Sequence, residues 1–286
     1  MSPTTSLTMA LGCARLGSAL TPLSRRESLA LIDQAYAWGV RHFDTASIYG
    51  QGDSERLLGE ALAGRRDQVV LASKAGQLLT PRQQWLAHFK PVVRWLAARR
   101  GDVQAQVAQT RARGVARCFT PDAIDASLHA SLRRLRTDHL DLFYLHSPTP
   151  EVLADEALFA RLAQCQRQGL FGRLGVSCDD LALAQAAGAH DQVQVVQFEF
   201  DGSPAARALL ERLAREGKSA VVRGLSRWRA AATSGDASVV QGLRQLRDWP
   251  AVRTVLVGTT RTSHLQHNLD AFQRALELQD TACTVR

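Results

Sequence analysis

The sequence has little that would tie it to a membrane, a metal centre or a disulfide framework. Its five cysteines (13, 118, 165, 178 and 283) are odd in number, and none falls in a CxxC pair or another metal-ligand spacing. That usage fits a reducing cytoplasm better than a secreted, cross-linked domain. No run of about 18 uncharged apolar residues occurs, so no membrane span is expected. The opening residues, MSPTTSLTMALG, have no basic flank ahead of an apolar run, so no secretory leader is expected either. A G-x-G-x-x-G turn is also missing. The nearest candidate, LGCARLG at 11–17, has the wrong spacing and opens no immediate helix, which argues against an open doubly wound sheet.

What is present is enough apolar residue for a full-size core, 45% over 286 residues. The net charge of +8 is unevenly placed. Between Pro81 and Cys118 there are eight Lys or Arg and one Asp, a net of +7, which leaves only +1 for the rest. A basic balance raises the question of nucleic acid. Here one segment carries the charge and no nucleic-acid module accompanies it, so such a partner is not expected.

Short apolar runs rich in Val and Leu alternate with longer amphipathic ones. The strand candidates are 8–13, 41–45, 68–73, 140–146, 172–177, 192–198, 219–223 and 253–258. Helices are expected at 27–39, 54–64, from Thr120 (with Pro121 in its first turn), and at about 151–168, 179–188, 203–216, 238–248 and 261–276. Eight strands each followed by a helix predict an α/β fold, a closed (β/α)8 TIM barrel forming a single domain over 1–286. One interval breaks the rhythm: an insertion at about 77–119 follows the third strand. It places Trp85, Phe89, Val93 and Leu96 at helical spacing beside a basic face. Three readings fit it: a solvated excursion, a lid over the barrel mouth, and a surface for an acidic partner or nucleic acid.

In such barrels the working face lies at the C-terminal strand ends. Asp44 closes strand two, Lys74 follows strand three, His146 closes strand four, and Tyr49 sits in the loop after strand two. Taken singly, these would be a strand-end cap, a solvated charge, a structural histidine and a loop aromatic. Placed at successive strand ends they make a proton-donating site. A phenol with an ordinary pKa of about 10 needs a nearby ammonium to become a useful acid near neutrality. Asp44 would hold that ammonium, and His146 would direct a carbonyl oxygen to the phenol.

FDTASIYGQGDSERLLGEAL, VVLASKAG and LRRLRTDHLDLFYLHSP resemble, in order, the strand-two, lysine and histidine motifs of the aldo-keto reductase family. GRLGVS, VQFEF and VLVGTTRTSHLQHNL resemble its later cofactor-binding strands, so that the likeness runs from about residue 7 to 276. The resemblance implies interconversion of a small-molecule carbonyl and its alcohol by hydride transfer. The cofactor would be NADP, with NAD as the alternative, and no metal would take part. It implies Tyr49 as general acid, tuned by Lys74 and Asp44, with His146 orienting the substrate.

The same resemblance implies cofactor contacts from Asp44, Ser177, Gln197 and Asn268. The family's usual amide-binding Asn is Cys178 here, and its nicotinamide-stacking aromatic is Arg223, followed by Gly224 and Leu225 along the pyrophosphate. The usual 2′-phosphate pair falls on Gly258 and His264, so Thr259, Thr260 and Arg261 at a helix start would supply the charge and N–H groups instead. These departures leave an alternative open: a catalytically weak nicotinamide-binding regulatory or interaction protein on the same barrel. Oligomeric state is not legible.

Overall fold

The computed structural model describes residues 7–18, 23–79, 115–224 and 236–277. Eight parallel strands close on themselves: β1 (Thr8–Gly12), β2 (His42–Asp44), β3 (Val70–Ala75), β6 (Leu140–His146), β7 (Phe171–Ser177), β8 (Val195–Glu199), β9 (Ser219–Arg223) and β10 (Val252–Gly258), with β10 pairing back onto β1. The barrel expected from the sequence is therefore present. All eight expected strand positions are occupied, with ends moved by at most three residues.

The helices are α1 (Arg25–Ala37), α2 (Asp53–Ala61), α3 (Pro121–Leu135), α4 (Pro150–Leu153), α5 (Glu156–Arg167), α6 (Leu181–Ala189), α7 (Pro204–Arg215), α8 (Asp236–Arg247) and α9 (Thr262–Glu277). Local chemistry fixes several starts. Ser24 and Glu27 form a reciprocal capping box on α1, and Thr120 caps α3 ahead of Pro121. The single helix expected at 151–168 is instead two. Asp155 takes an extended conformation and accepts from Leu158 N at 3.0 Å, so it caps a new helix where continuation was expected.

The alternation of strand side chains sorts the core into two shells. One lies between strands and helices and includes Leu11, Phe43, Leu71, Phe143 and Val176. The other fills the barrel itself with Ala72, Leu142, Tyr144, Val195 and Val221. Tyr144 occupies its space because β7 offers Gly175 beside it: a Cβ there would come within 2.5 Å of the ring. The same period of two puts Asp44, Lys74, His146, Ser177, Gln197 and Arg223 one layer above this filling, at the C-terminal rim.

A feature the sequence reading did not separate is a hairpin at the root of the insertion. There β4 (Gln77–Leu79) pairs antiparallel with β5 (Val115–Arg117). Residues 80–114, with the aromatic spacing noted above, lie outside the described residues. Among the described residues no helix is long and apolar enough to cross a membrane.

Candidate active site

Asp44 and Lys74 meet at the rim, 2% and 1% exposed. The Lys74 ammonium forms an ion pair with the Asp44 carboxylate and donates to the Thr45 carbonyl at 2.9 Å. The other carboxylate oxygen accepts from the Gln197 amide at 2.8 Å. Gln197 in turn accepts from the Ser177 hydroxyl at 2.9 Å. A chain of four side chains thus links β7, β8, β2 and β3.

Tyr49 is brought over this pair by the loop after β2. The loop continues the strand's pairing, with Thr45 N on Ala72 O at 2.9 Å and Ser47 N on Lys74 O at 3.0 Å. It then turns through left-handed Gly50, Gln51 and Gly52. Only glycine fits at position 50, where φ is +56° and a Cβ would lie 2.8 Å from the Gly17 backbone. The Lys74 ammonium stands 5.4 Å from the centre of the Tyr49 ring. The His146 ring meets that ring edge-on at 5.8 Å. The tetrad expected from the sequence is therefore assembled in one place.

Its electrostatics differ from expectation in one respect. Burial pushes the Tyr49 phenol upward, Lys74 pulls it back, and the net direction is up, where the sequence reading had the ammonium bringing it down. The phenol accordingly keeps its proton through the neutral range. His146 is driven well below the ordinary histidine value, first by burial and then by Lys74, Arg223 and Arg117, so it is neutral. Its Nδ1 and the Nε of Arg223 are buried and have no protein partner.

Beside the tetrad opens a cavity of about 610 Å3. Asp44, Tyr49, Gln197, Arg223, Gly224, Gly258, Thr259, His264 and Asn268 line it, nine of the residues expected from the sequence. Thr260 and Arg261 do not line it. The Thr259 hydroxyl accepts from Arg261 N at 3.1 Å, which occupies one N–H at the helix start. Cys178 is turned away: its thiol is fully buried in the core and directed at Val176 O, while its carbonyl accepts from Arg223. Leu225 lies outside the described residues. The structure adds Gly12 at the end of β1, Ala14 and Arg15 from the loop after it, Val239 from α8, and Leu256 and Val257 from β10. The strand-end rule applied to strands two to four would have found the first three, had it been applied to strand one.

The class these observations define is a parallel eight-stranded barrel with a buried Lys–Asp pair beneath a tyrosine and a histidine at its C-terminal rim. The Aldo/keto reductase family profile matches residues 8–222, and the chain belongs to that family. D-threo-aldose 1-dehydrogenase of a Pseudomonas species is 33% identical over 168 residues, 58% of this chain and 48% of the relative. Pyridoxal 4-dehydrogenase of Microbacterium luteolum is 39% identical over 72 residues, 25% of this chain and 21% of the relative. The matched region thus spans less than half the length of either relative. Among solved structures, an aldo-keto reductase from Bacillus halodurans in its holo form superposes with a TM-score of 0.70 at 20% identity, covering 95% of this chain and 91% of that one. One from Klebsiella pneumoniae, in complex with NADP and acetate, gives 0.63 at 19% identity, covering 93% and 85%. Both share the fold.

Proposed function

We propose that the protein reduces an aldehyde or ketone to its alcohol, or runs the reverse reaction, with NADPH as the nicotinamide cofactor in preference to NADH. The observation that carries this reading is the buried Lys74–Asp44 pair beneath Tyr49 and His146, at the side of a cavity of about 610 Å3. That volume suits a cofactor or small-molecule site. The unpartnered Nε of Arg223, a residue that lines the cavity, is a donor left for a ligand.

When bound, the nicotinamide supplies the hydride. Tyr49 gives its proton to the carbonyl oxygen as charge builds there. Lys74, fixed by Asp44 and the Thr45 carbonyl, stabilises the phenolate that remains. Neutral His146 donates one ring N–H to the same oxygen and orients it. Gln197, with Ser177 bonded behind it, would hold the carboxamide end, Arg223 and Gly224 the ring and pyrophosphate, and Gly258, Thr259, His264 and Asn268 the adenosine end. Klebsiella pneumoniae's relative holding NADP is consistent with the cofactor class.

The test is fluorescence titration with NADPH and NADH, followed by a panel of carbonyls read by NADPH absorbance. Tyr49→Phe should lower turnover by roughly 10²–10⁴-fold with cofactor affinity unchanged. Full activity in that variant refutes the role. Tight NADPH binding with no carbonyl reduced by the unaltered protein would favour the binding-protein alternative.

A further inference from the structure

The hairpin at the root of the insertion leaves the barrel at the C-terminal end of β3, on the rim that carries Lys74. Gly76 turns the chain out of β3 at φ +108°, and a Cβ there would lie 2.0 Å from the Phe119 ring. Cys118 N closes the turn on Gly76 O at 2.9 Å. In the register that follows, Arg117 stands opposite Gln77, three residues beyond Lys74.

The charges around His146 are one-sided. Those that act on it are Lys74, Arg223 and Arg117, all positive. Two of the three are already balanced: Lys74 by Asp44, and Arg223 by Asp179 at 3.6 Å. Arg117 is exposed and has no ion-pair partner among the described residues. It also begins the return from a segment whose sequence, 81–118, carries a net +7. An exposed, uncompensated guanidinium in a hairpin that leaves this rim draws in anions and binds carboxylate or phosphate oxygens through paired N–H groups.

We propose that Arg117 selects carbonyl substrates that carry an anionic group, a carboxylate or a phosphate, a few bonds from the reacting carbon. This rests on the reductase reading given above and names the substrate class for the same site. Neutral His146 holds the carbonyl oxygen, Tyr49 protonates it, and Arg117 holds the far anionic end. The hydride and proton go where they go for any carbonyl, so the anionic group is bound and not transformed.

Matched pairs test it: 4-oxobutanoate against butanal for a carboxylate, and glyceraldehyde 3-phosphate against glyceraldehyde for a phosphate. In at least one pair the anionic member should have a kcat/KM roughly 10-fold or more above its neutral partner, the size expected of one charge-assisted contact. The gain should lie in KM and should shrink as salt is raised. Arg117→Gln should erase the ratio, Arg117→Glu should invert it, and Arg117→Lys should restore part of it. A ratio near one in both pairs, or a ratio that survives in Arg117→Gln, overturns the proposal. If no carbonyl is turned over at all, calorimetry with succinate and glycerol 3-phosphate on the NADP-loaded protein decides separately. Binding that is lost in Arg117→Gln supports the anion site while the reductase reading fails; absence of binding overturns the anion site as well.

Discussion

The Gln197 amide donates to the Asp44 carboxylate over 2.8 Å from the strand diametrically across the barrel. Asp44 is thereby gripped from two directions, by Lys74 on the adjacent strand and by Gln197 on the opposite one. Ser177 donates to the Gln197 carbonyl oxygen, so the amide cannot flip without losing both contacts. The rim is thus tied together by side chains as well as by strand pairing.

Gln197→Leu should strand one carboxylate oxygen in a closed environment, a loss of about 1–3 kcal/mol for an unsatisfied buried acceptor. A lower midpoint in urea and weaker NADPH binding are expected together. If stability is unchanged, the bridge has no structural weight, and only the titration then speaks to its role with cofactor.

Lys74 and Asp44 are both almost wholly buried, so removing one leaves the other charged and alone. Lys74→Met should cost roughly 3–5 kcal/mol of stability and most of the turnover. The double variant Lys74→Met with Asp44→Asn should regain much of the stability, because no lone buried charge remains. It should regain none of the turnover, because the phenolate has lost its ammonium. Recovery of activity in the double variant would dismiss the tuning role.

The net upward direction of Tyr49 and the low value of His146 make a statement about pH. In the mechanism proposed above, reduction needs the phenol protonated and the imidazole neutral. Rising pH should therefore not slow reduction until it passes the ordinary tyrosine value of about 10. Falling pH should leave reduction intact below the ordinary histidine value of about 6.5, since His146 stays neutral there. A profile of kcat/KM for reduction should be flat across the neutral range. An inflection near 6.5 that vanishes in His146→Gln would show the imidazole titrating normally and contradict its environment.

Much of this site could be read from residue order alone. Strand ends are marked where apolar runs stop, and a closed barrel sends every strand end to one face; that is why Asp44, Lys74 and His146 were found together. Tyr49 followed because a loop after β2 has nowhere to lie but over that face. Cys178 was less legible. Its position after β7 is the expected one, but which way a side chain turns depends on packing, and a small apolar thiol gains more from the core than from a polar cleft. The hairpin at 77–79 and 115–117 was hidden for a different reason. Its strands are three residues each and their partners are 36 or more residues apart, so no local period announces them. The direction of the Tyr49 shift also escaped, since it depends on how deeply the ring is enclosed, and sequence order carries no measure of that.

His42 offers a prediction independent of catalysis. It lies on β2 near the barrel floor, buried, with Nε2 lacking a partner. Burial is the leading cause that lowers its pKa from 6.5 to about 4. Between those two values the unfolded chain binds a proton on this residue and the folded chain does not. Stability attributable to His42 is therefore complete above about pH 6.5 and is lost as pH falls toward 4, by roughly 3 kcal/mol across the window. Urea unfolding at steps from pH 7 to pH 4 should show this slope. His42→Leu should flatten it by that amount while His146 still contributes its own share. If the two proteins lose stability in parallel as acid is added, His42 is not a buried neutral imidazole.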